Sequence, residues 1–421
     1  MTPEDNERLV RVGPGRPAGE LFRRYWQPAM LSSELAGPDC APVRVRLLGE
    51  DLLAFRDTRG EVGLVSPHCP HRRAPLFFGL NQDCGIRCAY HGWKFDRHGN
   101  CVDMPSEPPG TPLRTKVKLL AYPTCEAGGL VWAYLGPPDR MPAPPSYEWL
   151  RVPPTHRHVT KTYEDCNYLQ GLEGGLDTAH VSFLHRDDRS PVTQLSALDP
   201  TPQIEVCVTK YGYHYVSRRR IAPERNYIRI YQYLMPAQQM RPSVVAASGA
   251  RQDMPTIDGH IWVPIDDEST NVYNFIYSYD QASPLSAAFI REEEAFFGRA
   301  EDDFIPGTFR LKRNAANDYL IDRALQRRGN SSGIVGINTQ DFALQEGMGR
   351  IVDRSKEFLG STDRAVVVMR RLMLEAMRTV EMGGSPPGAD PAEHRAARAY
   401  DDIVPPDFTM ETLLAEAVAK W

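Results

Sequence analysis

Residues 66–96 read SPHCPHRRAPLFFGLNQDCGIRCAYHGWKFD, and they carry the pattern from which the interpretation of the whole chain follows. Cys69-x-His71 is followed, after 16 intervening residues, by Cys88-x-x-His91. Two thiolates and two imidazoles are the ligands of a [2Fe–2S] cluster in which two Cys bind one iron and two His bind the other. Because each short motif supplies one Cys and one His, each loop can reach both irons. The pattern therefore predicts a cluster of this kind.

A structural zinc site is the alternative for these four residues. A Cys2His2 zinc finger groups Cys with Cys and His with His, whereas the order here is Cys-His-Cys-His, which favours the cluster. His68 and Cys84 lie outside the pattern and are interpreted as packing or loop residues. The same structural role is assigned by default to Cys101, Cys125, Cys166 and Cys207.

A second group of metal-binding side chains lies in residues 167–185, NYLQGLEGGLDTAHVSFLH. If this segment is helical, Glu173, Asp177 and His180 share one face through steps of four and three residues. His185 would then lie about 140° away from that face. Both imidazoles can meet one metal only if the helix bends or ends near residues 181–184.

Two histidines and one carboxylate, with coordination positions left open, form the site at which non-haem Fe(II) activates O2. We predict His180 and His185 as the imidazole ligands and Asp341, on a late helix, as the carboxylate. Glu346 is its rival, and Asp353 and Glu173 are weaker candidates. Ordinary helix histidines, or a zinc site, are the alternatives for this pair.

The composition sets limits on the function. The 421 residues carry a net charge of -5, which gives no electrostatic footprint for DNA or RNA. The sequence contains no apolar run long enough for a membrane span, and the acidic start has no secretory h-region. We expect a cytoplasmic protein in which clustered cysteines bind metal rather than form disulfides.

The sequence predicts an α+β fold with a small all-β cluster domain before a larger catalytic domain. We expect an N-terminal helical segment at 1–42 that packs on the catalytic domain, a β domain at 43–151 and the catalytic domain at 152–421. Alternating patterns predict an antiparallel sheet from strands at 204–218, 226–235, 259–265 and 270–279. Helical patterns lie at 17–35 in part, 164–185, 285–300, 312–328, 339–349 and 364–381, with a last helix ending near Trp421.

With both metal patterns in view, the chain resembles the catalytic α subunits of Rieske non-haem iron ring-hydroxylating oxygenases, in particular their phthalate 4,5-dioxygenase-like branch. The resemblance runs over most of the chain. It is carried by RVGPGRPAGELFRRYWQPAMLSSEL (11–35), CPHRRAPLFFG (69–79), CAYHGWKFD (88–96), LEGGLDTAHVSFLH (172–185) and QEGMGRIVDRSKEFLGSTD (345–363).

This resemblance implies the roles of individual residues. Cys69 and Cys88 would bind one cluster iron, and His71 and His91 the other. His180, His185 and Asp341 would bind the mononuclear iron. Asp177 would bridge His180 and the cluster ligand His91 of a neighbouring subunit, which implies a homotrimer or two stacked trimers. Electrons would come from NAD(P)H through a flavin and iron–sulfur reductase, with O2 as the co-substrate.

The substrate implied by the resemblance is a small aromatic compound, often a carboxylate. Arginine binds carboxylates bidentately, and Arg218 and Arg220, which share one face of a strand, are the candidate substrate residues. Solvated charges at a sheet edge are the alternative for any one of them. Further candidates are the arginines Arg219, Arg225, Arg229 and Arg241 and, as an apolar lining, Tyr211, Tyr213, Tyr215, Phe183 and Trp262.

Three other functions compete with an aromatic dioxygenase. An electron-transfer protein would need only residues 69–91 and would leave His180 and His185 without a role. A zinc-stabilised binding protein would be colourless. A monooxygenase or O-demethylase would use the same two metal sites, so the sequence does not separate it from a dioxygenase.

Overall fold

The computed structural model describes residues 1–186 and 190–421. The strands are β1 Gln27–Leu31, β2 Val43–Leu47, β3 Glu50–Arg56, β4 Val62–Val65, β5 Leu80–Gln82, β6 Gly85–Arg87, β7 Lys94–Phe95, β8 Cys101–Asp103, β9 Ala121–Tyr122, β10 Thr124–Ala127, β11 Leu130–Ala133, β12 Arg157–Glu164, β13 Gln203–Thr209, β14 Gly212–Ala222, β15 Arg225–Leu234, β16 Gln238–Val245, β17 Arg251–Pro264, β18 Thr270–Ser278 and β19 Tyr400–Val404. The helices are α1 Pro3–Val10, α2 Pro17–Phe22, α3 Leu113–Lys116, α4 Glu148–Arg151, α5 Tyr168–Leu176, α6 Pro191–Leu198, α7 Ala287–Phe297, α8 Arg323–Arg327, α9 Ile337–Gly347, α10 Arg364–Glu381, α11 Pro391–His394 and α12 Met410–Glu416.

The predicted cluster residues lie in a region of small antiparallel sheets. One sheet has the strand order β2-β3-β4-β9, and a second has the order β5-β6-β7-β8. A separate apolar core fills this region, and Cys69 and Cys88 are part of it, beside Trp93 and Phe95. The small β domain predicted from the sequence is confirmed.

Residues 17–35 are only partly helical, because α2 ends at Phe22 and β1 follows. β1 pairs with β11, which also pairs with β10, in a third small sheet. The chain turns at Arg23, whose guanidinium donates to the carbonyls of Val12 and Leu48 and pairs with Glu50 at 2.7 Å. The N-terminal helices lie against α10, as in the ion pair between Arg8 and Glu381 at 2.6 Å.

The large antiparallel sheet predicted for the second part of the chain is confirmed. Its strand order is β12-β18-β17-β16-β15-β14-β13, and β19 pairs with the first half of β15. The sequence prediction missed β12 and β19, whose partners β18 and β15 lie far away along the chain. It also missed β16, although its partners β15 and β17 are its neighbours in sequence. It also gave one strand for residues 204–218, where the structure has the hairpin β13–β14.

The predicted helices at 285–300, 339–349 and 364–381 correspond to α7, α9 and α10. The continuous helix predicted at 312–328 is wrong. Asp318, Tyr319 and Leu320 have φ values of 48°, 53° and 51°, so three successive residues adopt the left-handed conformation. A right-handed helix cannot pass through them, and only the short α8 forms beyond. The last helix, α12, ends at Glu416, before the predicted end near Trp421. Within the described residues, no helix has both the length and the apolar character needed to cross a membrane.

A buried ion network holds α5 in place. Glu173 of α5 pairs with Arg354 at 2.8 Å and with Arg370 of α10 at 2.6 Å. Arg354 is completely buried, and Arg370 also pairs with Glu357 at 2.7 Å. The network ties α5 to α10 and to the turn at Arg354–Lys356. Since buried charges are stable only when they are paired, the position of α5 depends on Glu173.

Replacement of Glu173 by Gln should lower the free energy of unfolding by about 3–5 kcal/mol, because the buried Arg354 would lose its charged partner. Chemical denaturation measures this as a lower midpoint at an unchanged slope. The matched control is Glu375→Gln, which removes an exposed pair with Arg371 on α10 and should change stability by no more than about 0.5 kcal/mol. If the two variants lost equal free energy of unfolding, the stabilising role assigned to Glu173 would be contradicted.

Candidate metal centres and substrate cavity

The two Cys-His motifs lie at the tips of two neighbouring loops. The rings of His71 and His91 are 4.4 Å apart between centroids, and the indole of Trp93 stacks on His71 at 4.4 Å. Backbone hydrogen bonds close both loops, from Cys69 N–H to Ala74 O at 2.9 Å and from Cys88 N–H to Trp93 O at 2.8 Å. The structure thus brings all four predicted ligands together.

The donor set of this group fits an iron–sulfur cluster. Cys69 and Cys88 are buried free thiols. Burial and the neighbouring Cys88 raise the pKa of Cys69 to about 11, so a metal must displace the proton for the thiolate to form. The Nδ1 atom of His71 is buried and has no hydrogen-bond partner among the described residues. A buried, unpaired ring nitrogen beside two thiols is what a missing metal bond would leave.

Three side chains converge at the second site. His180 Nε2 lies 3.1 Å from His185 Nε2, and Asp341 Oδ1 lies 3.0 Å from His185 Nε2 and 3.6 Å from His180 Nε2. Two ligands held about 2.1 Å from one ion at 90–110° are separated by about 3.0–3.4 Å. Among the described residues, His180, His185 and Asp341 form the one group of three or more His, Cys, Asp or Glu whose ligand atoms all lie within 4.8 Å of one another.

Each imidazole of this site is oriented by a second hydrogen bond. His180 Nδ1 lies 3.2 Å from Asp177 Oδ2, and His185 Nδ1 lies 2.8 Å from Gln340 Oε1. Both Nδ1 atoms are thereby engaged, so the Nε2 atoms are the ones free to bind a metal. The sequence prediction included Asp177 but missed Gln340, whose position beside Asp341 on α9 was the one available signal.

Without a metal ion, the negative charge of the carboxylates at this site is balanced only if protons stay bound to its side chains. Burial opposes ionisation, yet the hydrogen bond and charge of Asp177 raise the pKa of His180. Burial likewise opposes ionisation of Asp341, and the neighbouring His185 and His180 lower its pKa. A divalent cation would replace these protons and satisfy the same carboxylates.

The local chain path differs from the single helix predicted at 164–185. α5 ends at Leu176 because Asp177 is extended, at φ -72° and ψ 124°, and its carboxylate accepts from Ala179 N–H at 2.7 Å and His180 N–H at 3.3 Å. Asp side chains that bind nearby backbone N–H groups compete with helix formation. The predicted shared helix face of Glu173, Asp177 and His180 is therefore wrong. His180 begins a separate short turn, His180–Ser182.

The rivals of Asp341 have other partners. Glu346 accepts from Asp165 N–H at 2.9 Å and from the Tyr319 hydroxyl. Glu173 belongs to the buried ion network with Arg354 and Arg370. Asp353 is exposed and caps the turn at Arg354–Lys356.

A cavity of about 600 Å³ opens beside the three predicted ligands of the mononuclear metal. Its walls come from α5, α7, α9 and the strands β15–β18, and they combine apolar side chains such as Trp262, Val272 and Phe289 with a few charged ones. Tyr211, Tyr213, Tyr215 and Phe183, the other aromatic candidates, are not among its lining residues. Trp262 is the aromatic candidate that lines the cavity.

The prediction of Arg218 and Arg220 as substrate residues is corrected. Both are exposed, and Arg218 donates to Gln203 at 2.6 Å. Their strand alternates, so they point away from the side on which Ser217 and Arg219 are buried. Arg229 and Arg241, on the neighbouring strands β15 and β16, line the cavity instead.

The two cavity arginines differ in their partners. Arg241 donates to Asp258 Oδ1 at 2.7 Å and contacts His260 Nε2 at 2.8 Å. Arg229 is buried and donates to the Tyr231 hydroxyl and the Pro242 carbonyl, both at 2.7 Å. Its Nε has no partner within the described ranges. Although burial opposes its charge, nearby Tyr231 raises the pKa of Arg229, which remains cationic.

Comparison with known proteins assigns a family to each of the two regions of the chain that carry these sites. Residues 25–123 match the family described as Rieske [2Fe-2S] domain, and residues 133–419 match the family described as LigXa C-terminal domain like. The chain is 39% identical to the phthalate 4,5-dioxygenase oxygenase subunit of Pseudomonas putida, over 91% of this chain and 88% of that protein. It is 37% identical to the 3-chlorobenzoate-3,4-dioxygenase oxygenase subunit of Comamonas testosteroni, over 93% and 92%.

More distant similarities include other oxygenase reactions. The 5,5'-dehydrodivanillate O-demethylase oxygenase subunit of a Sphingobium strain is 30% identical, over 99% of this chain and 90% of that protein. Among solved structures, dicamba monooxygenase bound to dicamba superposes with a TM-score of 0.60 at 19% identity, over 86% of this chain and 98% of that one. At that identity the similarity shows the fold alone.

Replacement of Asp341 by Asn should lower metal affinity at the histidine pair by more than the roughly 10–100-fold that follows loss of a supporting residue. Elemental analysis would then find about two irons per chain in place of about three, with the visible spectrum of the cluster retained. Glu346→Gln is the matched control and should keep all three. If Glu346→Gln lost the third iron and Asp341→Asn kept it, Glu346 would be the carboxylate ligand.

Proposed function

The chain belongs to the Rieske non-haem iron oxygenases, and from that membership we propose that it hydroxylates a small aromatic carboxylate. It is the oxygenase component of a multicomponent enzyme that uses a Rieske [2Fe–2S] cluster, a mononuclear iron and O2. The proposal covers three further points: the residues that bind the cluster and the mononuclear iron, the identity of the substrate, and the assembly of the subunits.

In this proposal Cys69 and Cys88 bind one cluster iron, and His71 and His91 bind the other. His180, His185 and Asp341 bind the mononuclear iron. The converging Nε2 and Oδ1 atoms and the buried thiols support these assignments. When bound, the cluster supplies electrons and the mononuclear ion activates O2. The protein holds the substrate beside that ion in the cavity of about 600 Å³.

Asp177 is proposed as the link between the two kinds of centre. It holds His180 Nδ1 at 3.2 Å, and its side chain is still 27% exposed. His91 also lies at the surface of its loop. Two partly exposed groups can meet across a subunit interface. The proposed assembly is a homotrimer, or two stacked trimers, with His91 of one subunit against Asp177 of the next.

A partner protein must deliver the electrons. We propose a flavin and iron–sulfur reductase that takes them from NAD(P)H. In support, one similar protein is named as the iron-sulfur subunit of a toluene-4-sulfonate monooxygenase system. A solved relative of the same fold is an oxygenase and ferredoxin complex of carbazole 1,9a-dioxygenase.

The observation that carries the substrate class is the buried guanidinium of Arg229. A cation that lines a cavity, with no carboxylate among its hydrogen-bond partners in the described residues, is a binding group for an anion. Apolar neighbours such as Val272 and Phe289 suit an aromatic ring. The names of the 39% and 37% identical relatives, phthalate and chlorobenzoate dioxygenases, agree with an aromatic acid.

Dioxygenation is proposed over monooxygenation because these two relatives are dioxygenases. The second candidate reaction is oxidative O-demethylation, which the 30% identical relative favours. Turnover of phthalates, benzoates and methoxybenzoates with a reductase, NADH and O2 separates the two reactions. Two added oxygen atoms indicate dioxygenation, and release of formaldehyde indicates demethylation.

Replacement of Arg229 by Met should weaken binding of the aromatic acid by about 2–5 kcal/mol, roughly 30- to 3000-fold in KM or Kd. An uncharged amide analogue should lose far less affinity. Arg218→Met removes an exposed arginine of the same sheet and should bind the acid normally. Steady-state kinetics or calorimetry checks this. Equal losses for acid and amide would refute a carboxylate contact.

Replacement of Asp177 by Asn should leave the visible spectrum and the iron content nearly unchanged while it slows product formation severely, because the amide cannot hold His180 and its neighbour in the same way. Single-turnover product yield with pre-reduced protein measures the effect. Asp199→Asn, in a surface turn beside Arg220, is the control. Normal turnover in Asp177→Asn would remove the bridging role.

A further inference from the structure

One carboxyl group in the wall of the substrate cavity has no part in the proposed metal or substrate sites. Glu293 lies on α7 and lines the cavity, as Phe289 and Phe297 of the same helix do. It is half-buried, and it forms no hydrogen bond or ion pair with any other described residue. Because a carboxylate that is partly removed from water is unfavourable without a partner, Glu293 is a candidate binding group for a ligand in the cavity.

A small recess adjoins the cavity at Glu293. Its volume is about 10 Å³, and its walls include Glu293, Asp258, Ile276 and Phe297, each of which also lines the cavity. A space of this size holds one water-sized group. A ring hydroxyl or amino group fits such a recess, whereas the larger carboxyl group does not.

The two arginines of this recess are already paired with other carboxylates. Arg241 donates to Asp258 Oδ1 at 2.7 Å, and Arg299 pairs with Glu294 at 2.8 Å. Two carboxylates line the recess, Asp258 and Glu293. Of these two, Glu293 is the one that lacks a cationic partner among the described residues.

His260, the third basic side chain of the recess, adds no positive charge. Its Nε2 atom lies 2.8 Å from Nη2 of Arg241. Since a guanidinium group can only donate, this Nε2 atom accepts and carries no proton, so the imidazole is neutral. The recess therefore has an excess of negative charge, and the group that complements it is a hydrogen-bond donor.

The surroundings of Glu293 favour this use of its carboxyl group. Burial and the charge of Asp258 raise the pKa of Glu293 to about 7, although Arg299 opposes them. At pH 8 the ionised form therefore predominates, and a carboxylate accepts hydrogen bonds and donates none. Hydrogen bonds from O–H or N–H groups to a carboxylate are shorter and stronger than those between neutral groups.

We propose that Glu293 accepts a hydrogen bond from a hydroxyl or amino group on the ring of the substrate, and that the recess encloses this group. The inference rests on the proposed function, in which Arg229 binds the carboxylate of the same aromatic acid. Arg229, on β15, and Glu293, on α7, both line the cavity and form no ion pair with each other. The cavity thus offers an unpaired cation and an unpaired carboxylate, which together fit a hydroxy- or amino-substituted aromatic acid.

The same contacts determine which substituents are rejected. A methoxy group in place of the hydroxyl has no hydrogen to donate and is larger than the recess. A second carboxylate at this position would lie against Glu293 and Asp258, and like charges at close range repel each other. Glu293 therefore selects among aromatic acids by their ring substituent, while Arg229 binds the carboxylate that they share.

Ligand binding tests this specificity without turnover. Calorimetry on the holoenzyme at pH 8, with no reductase present, gives Kd for benzoate and for the isomers of hydroxy-, amino- and methoxybenzoate. The tightest-binding hydroxybenzoate and the aminobenzoate of the same substitution should bind at least about 10-fold more tightly than benzoate, the size of a hydrogen bond to a charged group. The matching methoxybenzoate should bind no more tightly than benzoate. If no hydroxybenzoate isomer binds more tightly than benzoate, the proposal is wrong.

Variants at two neighbouring positions of α7 assign the effect to one carboxylate. Glu293→Met removes the acceptor at a similar side-chain length and should reduce the ratio of the benzoate Kd to the hydroxybenzoate Kd to about 1. Glu293→Gln keeps an acceptor oxygen without the charge and should restore part of this ratio. Glu292→Met removes the preceding, exposed carboxylate and should keep the wild-type ratio. An unchanged ratio in Glu293→Met would overturn the assignment to Glu293.

Uncharged ligands separate this proposal from the proposed function. Phenol and toluene carry no carboxylate and differ in the donor, so their affinities report on the recess alone. If aromatic acids bind no more tightly than these compounds, the proposed substrate class is wrong, while weaker binding of phenol, but not of toluene, to Glu293→Met would still support the role of Glu293. If aromatic acids bind tightly and Glu293→Met changes neither phenol nor hydroxybenzoate binding, Glu293 has no such role and the proposed function stands.

Discussion

The proposed mononuclear metal site depends on one carboxylate that does two things at once. Asp177 accepts the backbone N–H groups of Ala179 and His180, which stops α5 at Leu176, and it also holds the Nδ1 atom of His180. An unbroken helix would place His180 and His185 about 140° apart, so no single ion could bind both. The helix end therefore creates the site, and the same oxygen atoms that create it orient one of its ligands.

The parts of the molecule that could be predicted from the sequence are those in which local spacing fixes geometry. The Cys-x-His and Cys-x-x-His motifs bring their own ligands together through short loops, and α9 and α10 follow from helical periodicity. Asp341, the carboxylate predicted as the third ligand, lies beside the two histidines, whereas the helical face predicted for Glu173, Asp177 and His180 is wrong. That error arose because periodicity describes apolar spacing and does not register an Asp side chain that ends a helix.

The rest could not be predicted because it depends on contacts that are distant in sequence. Arg218 and Arg229 look alike in the chain, and only the pairing of β15 with β14 and β19 decides which one is exposed and which one faces the cavity. Gln340 acquires its role when α9 packs against the turn that carries His185. The strand β19 is recognisable only beside β15, some 170 residues earlier in the chain.

Charges of both signs line the cavity. Arg241 is paired with Asp258 in its wall. Arg229 has no carboxylate hydrogen-bond partner among the described residues; although burial opposes its charge, Tyr231 raises its pKa and keeps it cationic. One cation of the wall is therefore already neutralised and the other is not. Since a buried charge is stable when it is paired, a bound aromatic carboxylate would complete the charge balance of the proposed site at Arg229 and not at Arg241.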